Sequence, residues 1–267
     1  MSKSSARRRR WRVVALVGSA VLVAAFLLAS RIPPVRRGYF LWQLERCYRS
    51  VPREQASSSL EFSRVMYYQE KLVAEGEPIV QPLLALRHKY DYLWYWTTTT
   101  AVGALGSPGT EPALVRDTEL ADPAVVCQAL TALASLPELH CQERVLTLLG
   151  NPVPEIRARA VYLVTKYRIR AASPILVTML QSDPDPTVRA LTMQGVVRLE
   201  GREAVPLLIQ ALDDAGVTEA PLSITVGAIA YSRLQDLTGE RLATKADWER
   251  WWQEKQAGQS PPSLPAP

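Results

Sequence analysis

Few residues in this chain could carry out a reaction. Histidine occurs twice, at His88 and His140, and cysteine three times, at Cys47, Cys127 and Cys141. A Ser-His-Asp or Cys-His arrangement would have to use one of those two imidazoles. His140 adjoins Cys141 beside a turn, and Cys127 belongs to the helix expected just before it. These three could approach one another, but a structural zinc wants four ligands. Buried thiols acting as small apolar groups are the simpler account. An odd number of cysteines implies no disulfide framework. The acid pairs Asp183/Asp185 and Asp213/Asp214 fall at expected loops, where helix capping explains them. The sequence has no Gly-Lys-Ser/Thr phosphate loop and no Gly-x-Ser-x-Gly elbow. Gly103, Gly106 and Gly109 are spaced as an inter-helix turn, not as a dinucleotide fingerprint. The expectation is therefore no catalytic residue, no metal, no cofactor and no small-molecule substrate.

One aromatic cluster could bind a partner. Tyr90, Tyr92, Trp94, Tyr95 and Trp96 crowd into seven residues and cannot all face one side of a helix. Packing accounts for part of such a cluster. Exposed Tyr and Trp are favoured at binding hot spots, so Tyr92, Trp94, Tyr95 and Trp96 form the candidate binding patch. Four β-branched residues follow, Thr97 to Thr100, and should weaken the local helix.

The elements around these residues recur. Asp122-Pro123-Ala-Val125, Val153-Pro154-Glu-Ile156 and Asp185-Pro186-Thr-Val188 stand 31 and 32 residues apart. Each proline is followed two residues later by a β-branched apolar residue. From there an inward stripe runs in steps of four: Val125, Ala129, Leu133; Ile156, Ala160, Val164; Val188, Thr192, Val196. Second helices are expected at 143–150, 172–181 and 203–212, with Pro174 and Pro206 near the starts of two of them. Fainter units fit on either side. Helices are expected at 60–74, 78–90, 92–105 and 111–120 before this array, and at 222–237 after it.

The unit Asp-Pro-Asp-Pro-Thr-Val-Arg-Ala-Leu at 183–191, with Val-Pro-Leu-Leu-Ile-Gln-Ala-Leu at 205–212, resembles a bacterial HEAT-like repeat. That resemblance is strong over 122–212. It implies an all-α fold, an α-solenoid of about five antiparallel helix pairs over 54–236, and a role as an interaction scaffold. It also implies a structural ladder in which Arg157 and Arg189 bond to neighbouring loops that carry Asp183 and Asp185. Val126 stands where the first unit would need its arginine. A second resemblance, to the closing segment of some bacterial HEAT-repeat proteins, covers 237–256. There Trp248, Trp251 and Trp252 lie on one helix face behind a Thr244–Asp247 cap, and would cover the open end of the stack. Similar repeats occur in phycobilin lyases, which makes a lyase-like enzyme or lyase subunit the rival function. A structural spacer without a specific partner is a third.

Charge separates the chain into two parts. Residues 1–53 carry 12 Lys/Arg and one acid, Glu45, a net of +11; residues 54–267 carry 19 and 25, a net of −6. The overall +5 therefore does not argue for a nucleic-acid partner. Its source is a basic tail, 1–12, and a basic stretch, 31–53, read as a juxtamembrane linker. Between them Val13 to Ala29 is an uncharged run of 17 residues. At ~1.5 Å per residue it spans roughly 26 Å, near the lower limit for a bilayer core. The run exceeds the usual ~7–15-residue signal core, and Ala-Phe-Leu-Leu-Ala-Ser at its end matches a small-x-small cleavage site poorly, so 13–30 reads as an uncleaved signal anchor. The C-terminal domain is then expected outside the cytoplasm, in a single-pass membrane protein. Residues 257–267, with four prolines, read as a disordered tail.

Overall fold

The computed structural model describes residues 31–51, 59–219 and 223–259. The regular structure of these residues is helical; an isolated antiparallel bridge joins Val217 to Thr225. The predicted anchor Val13 to Ala29, the basic tail and the last eight residues lie outside the described residues. Among the described residues no helix is long and apolar enough to cross a membrane. The chain divides into two compact units, one ending at Thr110 and one starting at Glu111.

The first unit begins with α1 (Pro33–Arg49), where a linker was expected. Pro33 and Pro34 open this helix, where missing N–H groups cost little. Leu44 and Tyr48 turn its apolar side onto α2 (Leu60–Val73), and Arg36 grips Glu75 beyond the far end of α2 at 2.5 Å. Ser59 caps α2 by accepting the Phe62 N–H at 3.1 Å. A 3-10 turn, Glu77–Ile79, leads into the short α3 (Val80–Leu86), which stops before the expected limit at Tyr90. Next comes α4 (Tyr92–Leu105), with the bounds read from sequence. Asp91 caps its start, and Gly106, at φ 61°, takes the left-handed conformation that closes it. Because α4 packs on both α2 and α3, it is buried on most of its circumference. Its threonines do not break it. The Thr97, Thr98 and Thr99 hydroxyls donate to the carbonyls of Leu93, Trp94 and Tyr95 at 2.8, 2.9 and 2.6 Å, so each satisfies itself inside the helix.

In the second unit the helices are α5 (Glu111–Asp117), α6 (Pro123–Leu133), α7 (Gln142–Leu148), α8 (Pro154–Tyr167), α9 (Ser173–Ser182), α10 (Pro186–Glu200), α11 (Val205–Ala211), α12 (Val226–Thr238) and α13 (Lys245–Gln259). Pro123, Pro154 and Pro186 each start a longer helix. Packing follows chain order: α6 on α8, α8 on α10 and α10 on α12, with α7 against α8, α9 against α10 and α11 against α12. The inward stripes hold, since Ala129, Leu133, Ile156, Ala160, Val164, Val188, Thr192 and Val196 are buried, whereas Val125 is half-buried. One apolar cluster runs from Leu114 to Trp248. Each fully buried Leu, Val or Ile in it contributes ~1.5–3 kcal/mol of transfer free energy. Gly195 marks a close crossing, because a Cβ there would meet Thr165 Oγ1 at 2.9 Å and Leu176 Cδ1 at 3.1 Å. The last helix runs to Gln259, past the boundary at 256 read from sequence.

Candidate functional site

The aromatic patch is not a surface patch. Trp94 is fully buried and Tyr95 nearly so; Trp96 is half-buried and stacks on Phe62, with centroids 6.4 Å apart. Trp94 Nε1 donates to the Leu86 carbonyl at 2.6 Å, and the Tyr95 ring stacks on His88. Only Tyr92 of the four is exposed. Sequence spacing could not decide this. A helix packed on two neighbours buries most of its faces, and α4 has two neighbours.

Arginine geometry in the second unit is more telling. Arg157, on the first turn of α8, donates from Nε and Nη2 to the two Asp183 carboxylate oxygens at 2.8 and 2.7 Å. Its Nη1 donates to the Asn151 and Pro152 carbonyls at 2.9 and 3.1 Å. Arg189 stands at the same turn of α10. Nε and Nη2 bind Asp214 at 2.7 and 2.8 Å, and Nη1 reaches the Asp183 and Pro184 carbonyls at 2.7 and 3.4 Å. The planar fork of a guanidinium suits each bidentate carboxylate contact. Both members of the first pair are buried, whereas the second pair is partly open to water. Hydrogen bonding to Asp214 raises the Arg189 pKa. Hydrogen bonds from Arg189 and the Gly216 N–H hold Asp214 below the usual aspartate range, against its burial. Asp185 takes a different role: it caps α10 by accepting the Val188 N–H at 3.0 Å, while its own N–H donates to Asp183 Oδ1 at 3.0 Å. At the position of these arginines in α6, Val126 is buried. The loop before α6 is held instead by Arg144, from α7, which donates to the Thr118 hydroxyl and carbonyl at 2.9 and 2.8 Å.

A buried carboxylate that sequence did not single out holds the next loop. Glu111, in the first turn of α5, accepts the backbone N–H groups of His140 and Cys141 at 2.7 and 2.6 Å, and its second oxygen lies 2.9 Å from His140 Nδ1. Burial pushes the Glu111 pKa up, but the bonds from His140 and Cys141 outweigh it and bring it below the usual glutamate range. The same contact raises the His140 pKa. Burial, with the Glu111 charge, pushes the Cys141 thiol up to about 12. A thiol so held stays protonated near neutral pH and is a poor nucleophile. The arrangement therefore works as a clamp on the 138–141 loop. Among the described residues no group of His, Cys, Asp and Glu is placed to hold a metal ion.

The C-terminal tryptophans cover the end of this unit's core. Trp248 is fully buried in the apolar cluster and meets Trp251 and Tyr231 edge-on, at centroid distances of 5.7 and 6.5 Å. Trp251 and Trp252 are half-buried against the same cluster. The Thr244 hydroxyl accepts the Asp247 N–H at 3.2 Å and donates to the Asp247 carboxylate at 2.7 Å, which fixes the start of α13. Lys245 ties the helix to Asp213 at 2.5 Å. The second helices expose an uncharged row: Thr147 on α7, Thr178 and Gln181 on α9, and Gln210 on α11, with Gln181 Nε2 donating to Gln210 Oε1 at 3.2 Å. No family model matches this chain, and no curated protein matches it.

Proposed function

We propose that the chain is a membrane-anchored α-solenoid of HEAT-like helix pairs that binds a protein partner and catalyses no reaction of its own. The recurrence of one arginine geometry, Arg157 on Asp183 and Arg189 on Asp214 with matching carbonyl contacts, carries this reading. Ties of one pattern, from arginines 32 residues apart to aspartates 31 apart, support stacking of one supersecondary unit, and stacked units present extended surfaces. The row Thr147, Thr178, Gln181 and Gln210 is the surface on which a partner would lie, since its charge-free side chains are inexpensive to desolvate compared with Lys or Glu. The anchor is Val13 to Ala29, with the basic residues Lys3, Arg7 to Arg10 and Arg12 kept in the cytoplasm and the helices outside it.

The test is site-specific photocrosslinking of the full chain in its native membrane. A photoreactive residue at Thr178 or Gln181 should give one discrete adduct, and the same residue at the exposed Gln194 of α10 should give none. Absence of any adduct from the second helices would leave the chain a spacer and defeat the scaffold reading.

A further inference from the structure

An aromatic strip crosses α1 and α2 in the first unit and has no role in the core. Trp42 and Tyr67, at its two ends, are each more than half exposed, at 54% and 52%. Between them the rings form a chain. Trp42 lies 6.2 Å from Tyr39, Tyr39 5.9 Å from Phe40, Phe40 6.3 Å from Tyr68, and Tyr68 meets Tyr67 edge-on at 5.2 Å. A cation sits over each end: the Arg46 guanidinium 5.3 Å from the Trp42 ring, and the Lys71 ammonium 5.2 Å from the Tyr67 ring. The exposed side of α1 continues the pattern, with Val35, Gly38, Trp42, Arg46 and Arg49 recurring at helical spacing opposite the buried Leu44 and Tyr48.

Aromatic rings with a polar tip, beside apolar residues and flexible cations, favour the boundary between lipid tails and headgroups. The position of this strip along the chain agrees. The uncharged run ends at Ala29 and α1 starts at Pro33. Four residues reach at most ~14 Å, so α1 starts within the tether's reach of the headgroup layer. Charge agrees as well. At the Trp42 end Arg46, Arg49 and Lys89 outnumber Glu45, which Tyr90, Lys89 and Arg49 already engage, and at the Tyr67 end Arg64 and Lys71 outnumber the exposed Glu70. We propose that the Trp42–Tyr39–Tyr68–Tyr67 strip rests on the membrane surface at headgroup level, with Arg46 and Lys71 bonding anionic phospholipid phosphates. This inference rests on the anchor proposed above. It adds to that reading a second, interfacial contact that lays α1 along the bilayer and limits the directions in which the first unit can stand.

The full chain in vesicles of equimolar phosphatidylcholine and phosphatidylglycerol tests it, with the fluorescence of Trp42 taken as the difference between wild type and Trp42→Phe. The expected result is a blue-shifted component, quenched by lipid carrying a headgroup spin label and not by lipid labelled at the acyl-chain end. That component should shift back toward the red in Arg46→Gln/Lys71→Gln. A chain that resists carbonate extraction but shows no headgroup quenching of Trp42 would overturn the inference and leave the anchor standing, the strip then facing water or a protein. A chain stripped by carbonate would remove the anchor and this inference together.

Discussion

Arg157 and Arg189 converge on one residue from α8 and α10: the first takes the Asp183 carboxylate and the second takes the Asp183 carbonyl. Asp183 therefore joins α8 and α10 through different atoms. The carboxylate has no water to fall back on, because the Arg157 and Asp183 side chains are 9% and 3% exposed.

Removing one member of that pair should be costly. Arg157→Ala or Asp183→Ala would leave an uncompensated buried charge and lower unfolding free energy by about 3–5 kcal/mol. Arg189→Ala, at a wetter pair, should cost less, ~1.5–3 kcal/mol. Replacing both members, as Arg157→Met with Asp183→Leu, should cost less than either alanine variant alone. Urea unfolding of the full chain in detergent measures all of these; equal losses at the two arginines would contradict the burial argument.

The Glu111–His140 contact predicts a stability that depends on pH in two windows. Glu111 has a folded pKa below its unfolded value, so its contribution is present above the usual glutamate range and disappears as pH falls through the folded pKa. His140 has a folded pKa above its unfolded ~6.5, so its contribution is complete below that value and disappears as pH rises through the folded pKa. Melting temperatures across the acid and neutral ranges should show both losses in the wild type. Glu111→Gln should abolish both, and His140→Ala only the upper one. An unchanged upper slope in His140→Ala would show that another group titrates there.

Trp248→Ala should destabilise the second unit by about 3–5 kcal/mol, as expected for emptying a fully buried indole site. Trp252→Ala, at a half-buried position, should cost less. Thermal unfolding followed by circular dichroism separates the two, and a melting curve unmoved by Trp248→Ala would end the capping role.

Trp94→Phe should cost about 1 kcal/mol for the lost bond to the Leu86 carbonyl. Trp94→Ala should unfold the first unit rather than abolish binding selectively. Loss of partner crosslinking with unchanged circular dichroism would restore Trp94 to a binding surface.

These outcomes also mark how far the sequence could be read. The end of α4 was legible because the turn at Gly106 is a local signal, and Arg157 and Arg189 because they repeat at a fixed offset from a proline. The fates of Trp94 and Tyr95 were not legible, since burial there depends on two neighbouring helices that spacing does not reveal. Residues 33–49 resembled a linker because paired prolines and five nearby arginines dominate the composition; the helix makes sense only against α2. Glu111 gave no signal at all, as two of its partners are backbone N–H groups 29 and 30 residues away.

Burial raises the pKa of Cys127 as it does that of Cys141, where the Glu111 charge adds to the effect. Sulfenylation and disulfide exchange proceed through the thiolate. Both shifts slow oxidation of these two unbridged cysteines, so that, on the proposed placement outside the cytoplasm, the second unit would not depend on a cystine between them.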